Sequence, residues 1–110
     1  MIVLSNHGGH TLDYLPHPFQ VMEEIVSAVG GQVEIMVDGG FRRGSDIFKG
    51  LAMGASLTGI GRPILLGLAA DGEAGVTAVV QAITRELARI MTMAGVASPT
   101  EASPDMLISF

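Results

Sequence analysis

Three short strand-like runs, residues 2–4, 33–37 and 57–60, are each followed by a glycine-bearing polar loop and then by apolar residues at helical spacing. No two runs are joined by a short turn, so hairpins are excluded and the strands must run parallel, each return being made by a helix. Residues 2–4 are wholly apolar, the pattern of a strand covered on both faces. After the first loop, Phe19, Met22, Ile25, Val26 and Val29 recur on one face. With Pro18 in the first turn and Gly30 and Gly31 at the stop, they predict an amphipathic helix. Ser45 is expected to cap a second helix whose face is Ile47, Phe48, Leu51 and Ala52, ending at Gly54. Residues 61–63 open a short apolar helix over 64–69, followed by a turn at Asp71-Gly72 and a long helix. Val76, Val79, Val80, Ile83, Leu87, Ile90 and Met91 form its stripe, with Arg85, Glu86 and Arg89 largely opposite. The tail from Ser98 is expected to be irregular.

Two architectures accommodate parallel strands alternating with helices: an open doubly wound sheet and a (β/α)8 barrel. The loops decide between them. Phosphate sites of the barrel follow strands seven and eight and use the N-terminus of a short extra helix. Residues 38–44, and residues 61–63 with the helix behind them, match that arrangement. The expected fold is therefore α/β, the C-terminal part of a (β/α)8 TIM barrel, about strands six to eight with their helices. A complete barrel needs about 250 residues, so this chain of 110 residues is expected to be one partial domain, 1–110, lacking the N-terminal β/α units. Only 15% of its residues are charged, against roughly 25% in ordinary soluble domains. Such a chain has difficulty covering its apolar surface alone, which points to a missing barrel portion or to self-association. Absence of cysteine excludes disulfides, thiolate zinc sites and cysteine nucleophiles. There is no basic leader at Met1 and no unbroken apolar run of about eighteen residues, so neither a signal peptide nor a transmembrane helix is expected and the expected location is cytoplasmic.

The chain carries 6 Lys and Arg against 11 Asp and Glu, a net charge of −5. A nucleic-acid partner, which requires a basic face, is disfavoured. Yet Arg42, Arg43, Lys49 and Arg62, four of those 6 cations, fall between positions 42 and 62. The segment Asp38-Gly39-Gly40-Phe41-Arg42-Arg43-Gly44-Ser45-Asp46 sits where the second strand ends. Gly39 and Gly40 let backbone amides approach an anion, and Arg42 adds a forked, charge-assisted donor. Gly61 and Arg62 supply a second donor set at a helix N-terminus, where Pro63 removes no needed hydrogen bond. Together these describe a cradle for a small phosphorylated ligand. Asp38 has the wrong charge for a phosphate ligand and suits backbone amides or a sugar hydroxyl.

His7, in Ser5-Asn6-His7-Gly8-Gly9-His10 at the end of the first strand, lies on the face where barrel enzymes place their chemistry. Imidazole titrates near neutrality, so His7 suits a general base; a structural hydrogen-bonder is the other reading of a loop histidine. His10 and His17 lean further toward the structural reading. Three histidines without matching carboxylate spacing do not make a metal site.

Ser5 to Asp13, Asp38 to Ile47, Leu51-Ala52-Met53-Gly54-Ala55, Ile60-Gly61-Arg62-Pro63 and Gly72-Glu73-Ala74-Gly75-Val76, in that order and spacing, closely resemble a known group. It is the C-terminal part of the FMN-dependent α-hydroxy acid dehydrogenases and oxidases, which include glycolate oxidase and the lactate and mandelate dehydrogenases. The resemblance implies a barrel with FMN across the strand ends. It implies that Ser5 contacts the flavin, and that Asp38, Gly39, Gly40, Phe41, Arg42, Gly61 and Arg62 hold the cofactor through its ribityl phosphate. His7 then matches the base that takes a proton from a small 2-hydroxy acid as two electrons pass to FMN. Members are often homo-oligomeric.

Two departures qualify what the resemblance implies. The family places an arginine three residues after the base, gripping the substrate carboxylate, where this chain has His10. Imidazole cannot offer the same fork, so a different substrate or weakened handling of simple 2-hydroxy acids is expected, unless Arg43 compensates. The family's aspartate that orients the base, its substrate tyrosines and its lysine near the flavin belong to segments absent here. Two other readings stay open: another phosphate-binding barrel enzyme, of the type 2 isopentenyl diphosphate isomerase or inosine monophosphate dehydrogenase kind, and a non-catalytic truncated product that associates through its open sheet edges. The Ser5-Asn6-His7-Gly8-Gly9 segment favours the hydroxy acid enzymes, and the missing cysteine disfavours the inosine monophosphate type.

Overall fold

The computed structural model describes residues 1–29 and 31–108. Strands β1 (Ile2–Leu4), β2 (Ile35–Val37) and β3 (Leu57–Thr58) form one parallel sheet in the order β1-β2-β3. Ile2 lies opposite Ile35, and Val37 opposite Thr58. The alternation of strand and helix read from the sequence is what the chain forms, with shorter strands. β3 stops at Thr58 rather than continuing to residue 60 because its partner β2 ends at Val37, leaving no further ladder to join. Val33 stays outside β2 and is 38% exposed.

Helix α1 (Pro18–Val29) begins where expected, but its start is fixed by a residue that periodicity does not reveal. The Phe19 amide donates to His17 Nδ1 at 3.2 Å, and the His17 amide donates to Gln20 Oε1 at 2.7 Å. This reciprocal pair satisfies two N-terminal donors in the manner of a capping box. At the other end Gly30 lies outside the described residues, while Gly31 takes φ 74° and Gln32 donates to the Val29 carbonyl.

Helix α2 (Gly44–Ala52) corrects the expected cap. Arg43, extended at φ −137°, occupies the capping position, and Ser45 lies inside the helix. The Asp46 carboxylate reaches back to accept from the Arg42 and Arg43 amides, each at 3.0 Å. A carboxylate is the stronger acceptor beside a helix N-terminus, and it takes the role expected of the serine.

Helix α3 (Arg62–Ala94) breaks at Asp71 and Gly72, where the backbone leaves helical values, so the expected turn is present as a kink between two arms. At the elbow, a Cβ on Gly75 would overlap the Gly67 carbonyl, so the two arms touch backbone to backbone. Ile83 is buried, whereas Val80, expected on the packed stripe, is 47% exposed. Glu86, expected on the outer side, instead turns toward the start of α2. By length and composition alone α3 is long and apolar enough to cross a membrane, since within its 33 residues an 18-residue stretch has mean hydropathy 1.4, although its sequence has no unbroken apolar run. The kink divides it, and Glu86 of the second arm is tied to α2, which marks that arm as a packing helix.

The core lies between α1, the sheet and the loop that leads into α2. Met22, Val37, Phe41 and Ala55 are buried there, flanked by Leu4, Phe19, Val26, Ile47, Met53 and Ile60. Phe19 and Phe41 meet edge to face, with ring centres 5.3 Å apart. Replacing Gly75 by Ala should force the arms of α3 apart and lower unfolding free energy by about 1–3 kcal/mol in a urea titration. Unchanged stability would show that the arms do not bear on each other at Gly67.

Candidate functional site

Because the three strands are parallel, the loops that leave their C-terminal ends share one rim. There they enclose an open cavity of about 530 Å³. Its lining includes His7, Gly8 and His10 after β1, Asp38, Gly39, Gly40, Phe41 and Arg42 after β2, and Gly61 and Arg62 after β3.

The turn after β1 is held under backbone strain. His7 has φ 52°, the one non-glycine residue at positive φ among the described residues. A conformation of this kind costs about 1–3 kcal/mol and persists only where its surroundings enforce it. The enforcement is visible: the His7 amide donates to Ser5 Oγ at 3.1 Å, the Gly8 amide to Asn6 Oδ1 at 2.9 Å, and the Gly9 amide to the Asn6 carbonyl at 2.9 Å. Asn6 Nδ2 also donates to the Pro16 carbonyl at 3.3 Å. The His7 and His10 rings lie 5.0 Å apart, inclined at 45°, and both residues are exposed.

The loop after β2 packs against this turn. Gly39 and Gly40 have φ 91° and 88°. A Cβ on Gly39 would stand 2.6 Å from Asn6 Oδ1, and one on Gly40 would stand 3.0 Å from His17 Nε2. Both the backbone angle and the close approach therefore require glycine at Gly39. The third loop is tied in as well, since a Cβ on Gly8 would lie 3.1 Å from Arg62 Nη2. Arg62 thus rests on the turn that carries His7. A Cβ on Gly59 would stand 2.8 Å from the Asp38 Cβ, so the residue just after β3 leaves space for the Asp38 side chain.

Most of the residues singled out from sequence meet at this cavity, with instructive exceptions. Ser5 does not line it: the Ser5 hydroxyl is engaged by the His7 amide, and Ser5 borders a separate depression beside Asn6, Leu15 and Pro16. Phe41 borders the cavity but is only 3% exposed, its side chain packed into the core. Arg43 and Lys49 are absent from the cavity wall. Arg43 is drawn away by Glu86, its Nε and Nη2 both 3.0 Å from Oε1. It does not stand in for an arginine at position 10. His17 serves as a helix cap. Sequence reading missed Asn6, although an Asn ahead of positive-φ residues is a turn signal in its own right. It also missed Met36 and Leu65, which line the cavity from β2 and the first arm of α3.

Chemically, two guanidinium groups, a pair of glycines at positive φ and a helix N-terminus form a donor set suited to a phosphate-like anion. Two imidazoles stand at the same opening. The parallel α/β scaffold brings that donor set and the strained histidine turn together at one strand-end rim. The chain matches the FMN-dependent dehydrogenase family over residues 1–109, and it belongs to that family.

Relatives agree. The chain is 48% identical over 106 residues to 2-hydroxyacid oxidase 2 of Rattus norvegicus, covering 96% of itself and 30% of that protein. It is 44% identical over 109 residues to L-lactate oxidase of Roseobacter sp. (strain GAI101), covering 99% of itself and 30% of the relative. A crystal structure of (S)-mandelate dehydrogenase, described as a monotopic membrane protein, superposes with a TM-score of 0.93 at 42% identity, over 98% of this chain and 28% of that one. The chain therefore spans less than a third of the length of these relatives.

Gly39→Ala should disturb both loops at once. The expected result is a stability loss of about 1–3 kcal/mol, from the forced φ and the displaced Asn6, with altered amide signals at residues 6–9 in a heteronuclear NMR spectrum. Perturbation confined to residues 38–41 would show that the two loops are independent.

Proposed function

We propose that this chain forms the C-terminal β/α portion, about strands six to eight, of a (β/α)8 barrel enzyme that oxidises a small 2-hydroxy acid to the 2-oxo acid with FMN. The observation that carries the reading is the convergence on one cavity of Arg42, Arg62, the paired glycines and the strained His7 turn. Residues 1–110 are then one partial domain, completed by an N-terminal barrel portion. The open edges support this. β1 and β3 each have an unpaired side within the described sheet, Val3 and Leu57 are 56% and 50% exposed, and Leu65, Leu66 and Leu68 project from the first arm of α3.

The residues fit the phosphate end of FMN by charge and shape. Arg42 and Arg62 provide forked cationic donors, while Gly39, Gly40 and Gly61 allow close backbone approach, Gly61 facing open space where a side chain would begin. Asp38 is placed for a sugar hydroxyl, and Ser5 acts by holding the turn. Bound FMN would supply the acceptor for two electrons. His7 acts as the base that takes the proton of the 2-hydroxy acid, and its strained turn sets its backbone at the cavity rim. His10, 5.0 Å from His7 ring to ring, takes the role of receiving the substrate carboxylate, a reading supported by its nearness to the proposed base. The chain alone lacks part of the walls of such a site, so by itself it should bind FMN weakly and turn over negligibly.

Co-expression with the N-terminal portion of a related barrel should give a yellow complex whose flavin absorbance bleaches anaerobically with glycolate, lactate or mandelate. His7→Asn should retain the flavin and slow bleaching by at least about a hundredfold. Absence of bleaching with every 2-hydroxy acid tested would defeat this reading.

His10→Arg, in the same complex, should tighten apparent substrate affinity by about ten- to a hundredfold, the worth of one charge-assisted contact of roughly 1.5–3 kcal/mol. Equal or weaker affinity would show that position 10 does not receive the carboxylate.

A further inference from the structure

We infer that Glu86, on the second arm of α3, is a positioning residue for the anion cradle: it fixes the loop after β2 so that Arg42 and the Gly39 and Gly40 backbone face the cavity. The inference rests on the proposed phosphate-binding role of that loop. It arises from an arrangement that net charge alone would disfavour, because a carboxylate has been placed beside a site meant for an anion.

The contacts explain the placement. One Glu86 oxygen, Oε1, accepts from Arg43 Nε and lies equally close to Nη2, both at 3.0 Å. The other, Oε2, accepts from the Gly44 amide at 3.0 Å, a partly buried contact. Gly44 has no space for a side chain, since a Cβ there would overlap the Leu87 amide and approach the Glu86 carbonyl carbon to 2.7 Å. The first turn of α2 is thus pressed onto the backbone of α3 at positions 86 and 87 and held there by the Glu86 carboxylate. Immediately upstream, the Arg42 and Arg43 amides are taken by Asp46 Oδ2. Two carboxylates therefore occupy the amide donors at positions 42–44, the start of α2. The anion site is left to Gly39, Gly40, the Arg42 side chain and the start of α3.

The clamp also separates neighbouring arginines. Arg43 is held on the α3 side by Glu86, while Arg42 lines the cavity. The Arg43 side chain is 71% exposed and that of Glu86 28% exposed, so the ion pair itself adds little to stability. Its consequence is geometric: it sets the direction of the loop and prevents the two guanidinium groups from exchanging places.

Sign makes the inference testable. By long-range electrostatics alone, removing Glu86 deletes a negative charge, frees Arg43 and should strengthen anion binding. If Glu86 positions the loop, its removal weakens binding. The experiment uses the complex with the N-terminal barrel portion, the 110-residue part 15N-labelled and the flavin removed, titrates it with inorganic phosphate, FMN and riboflavin, the last lacking the phosphate, and follows the Gly39 and Gly40 amides. In the unsubstituted complex, saturable shifts with phosphate and a preference for FMN over riboflavin test the underlying function. Their absence overturns that function and this inference together. Given that preference, Glu86→Ala should weaken phosphate and FMN by about tenfold while leaving riboflavin unchanged. Arg43→Ala should do the same, the double variant should lose no more than either single one, and Glu86→Gln, which keeps an acceptor for Gly44, should fall between. Unchanged or tighter phosphate binding in Glu86→Ala, or an equal loss for FMN and riboflavin, overturns the inference and leaves the function standing.

Discussion

Parallel pairing of β1, β2 and β3 is the constraint on which the rest depends. A strand that runs in the same direction as its neighbour must deliver its following loop to the same rim, and here three loops arrive side by side. The alignment extends past the strands themselves. The Asp38 amide donates to the Leu4 carbonyl at 3.0 Å and the Gly59 amide to the Val37 carbonyl at 2.8 Å, so the loops after β2 and β3 start from pinned positions. Loop chemistry of this kind is reproducible only because its first atoms belong to the sheet.

Close backbone approach then converts three adjacent loops into one site. Gly39 against Asn6 is a contact in which a methyl group would collide with a polar side chain, and Gly40 against His17 and Gly8 against Arg62 are tight approaches of the same kind. The first two join the loop after β2 to the segment before α1, and the third joins that segment to α3. The strained φ of His7 is maintained by this network, since Ser5 and Asn6 take the amides that the turn exposes. Strain at the residue proposed as base, and hydrogen bonds at its neighbours, are two aspects of the same packing.

An acidic chain with a proposed anion site poses an electrostatic question that local placement answers. Asp46 and Glu86 are spent on backbone amides and on Arg43, so these two carboxylates are held by donors at the start of α2, while Asp38 lines the cavity itself. Net charge describes a protein's long-range field, whereas binding at a pocket depends on the few groups within a Debye length, about 8–10 Å, and on how they are oriented.

The order of elements, the parallel sheet, the limits of α1, the kink at Asp71-Gly72 and the glycine-arginine cradle were legible in the sequence, because hydrophobic periodicity and turn chemistry are local properties. Family membership was legible too, carried by the motifs around His7, Asp38 and Gly61. What the sequence left undecided involves partners remote in the chain. Which of Arg42 and Arg43 faces the cavity, and why Glu86 turns inward, are settled by contacts between positions 43–44 and position 86. Likewise Ser5 props a turn and Phe41 fills the core because of what packs beside them. Local pattern determined which elements form and which residues reach the rim; only tertiary contact decided where each side chain points, since direction depends on neighbours that no sequence window contains.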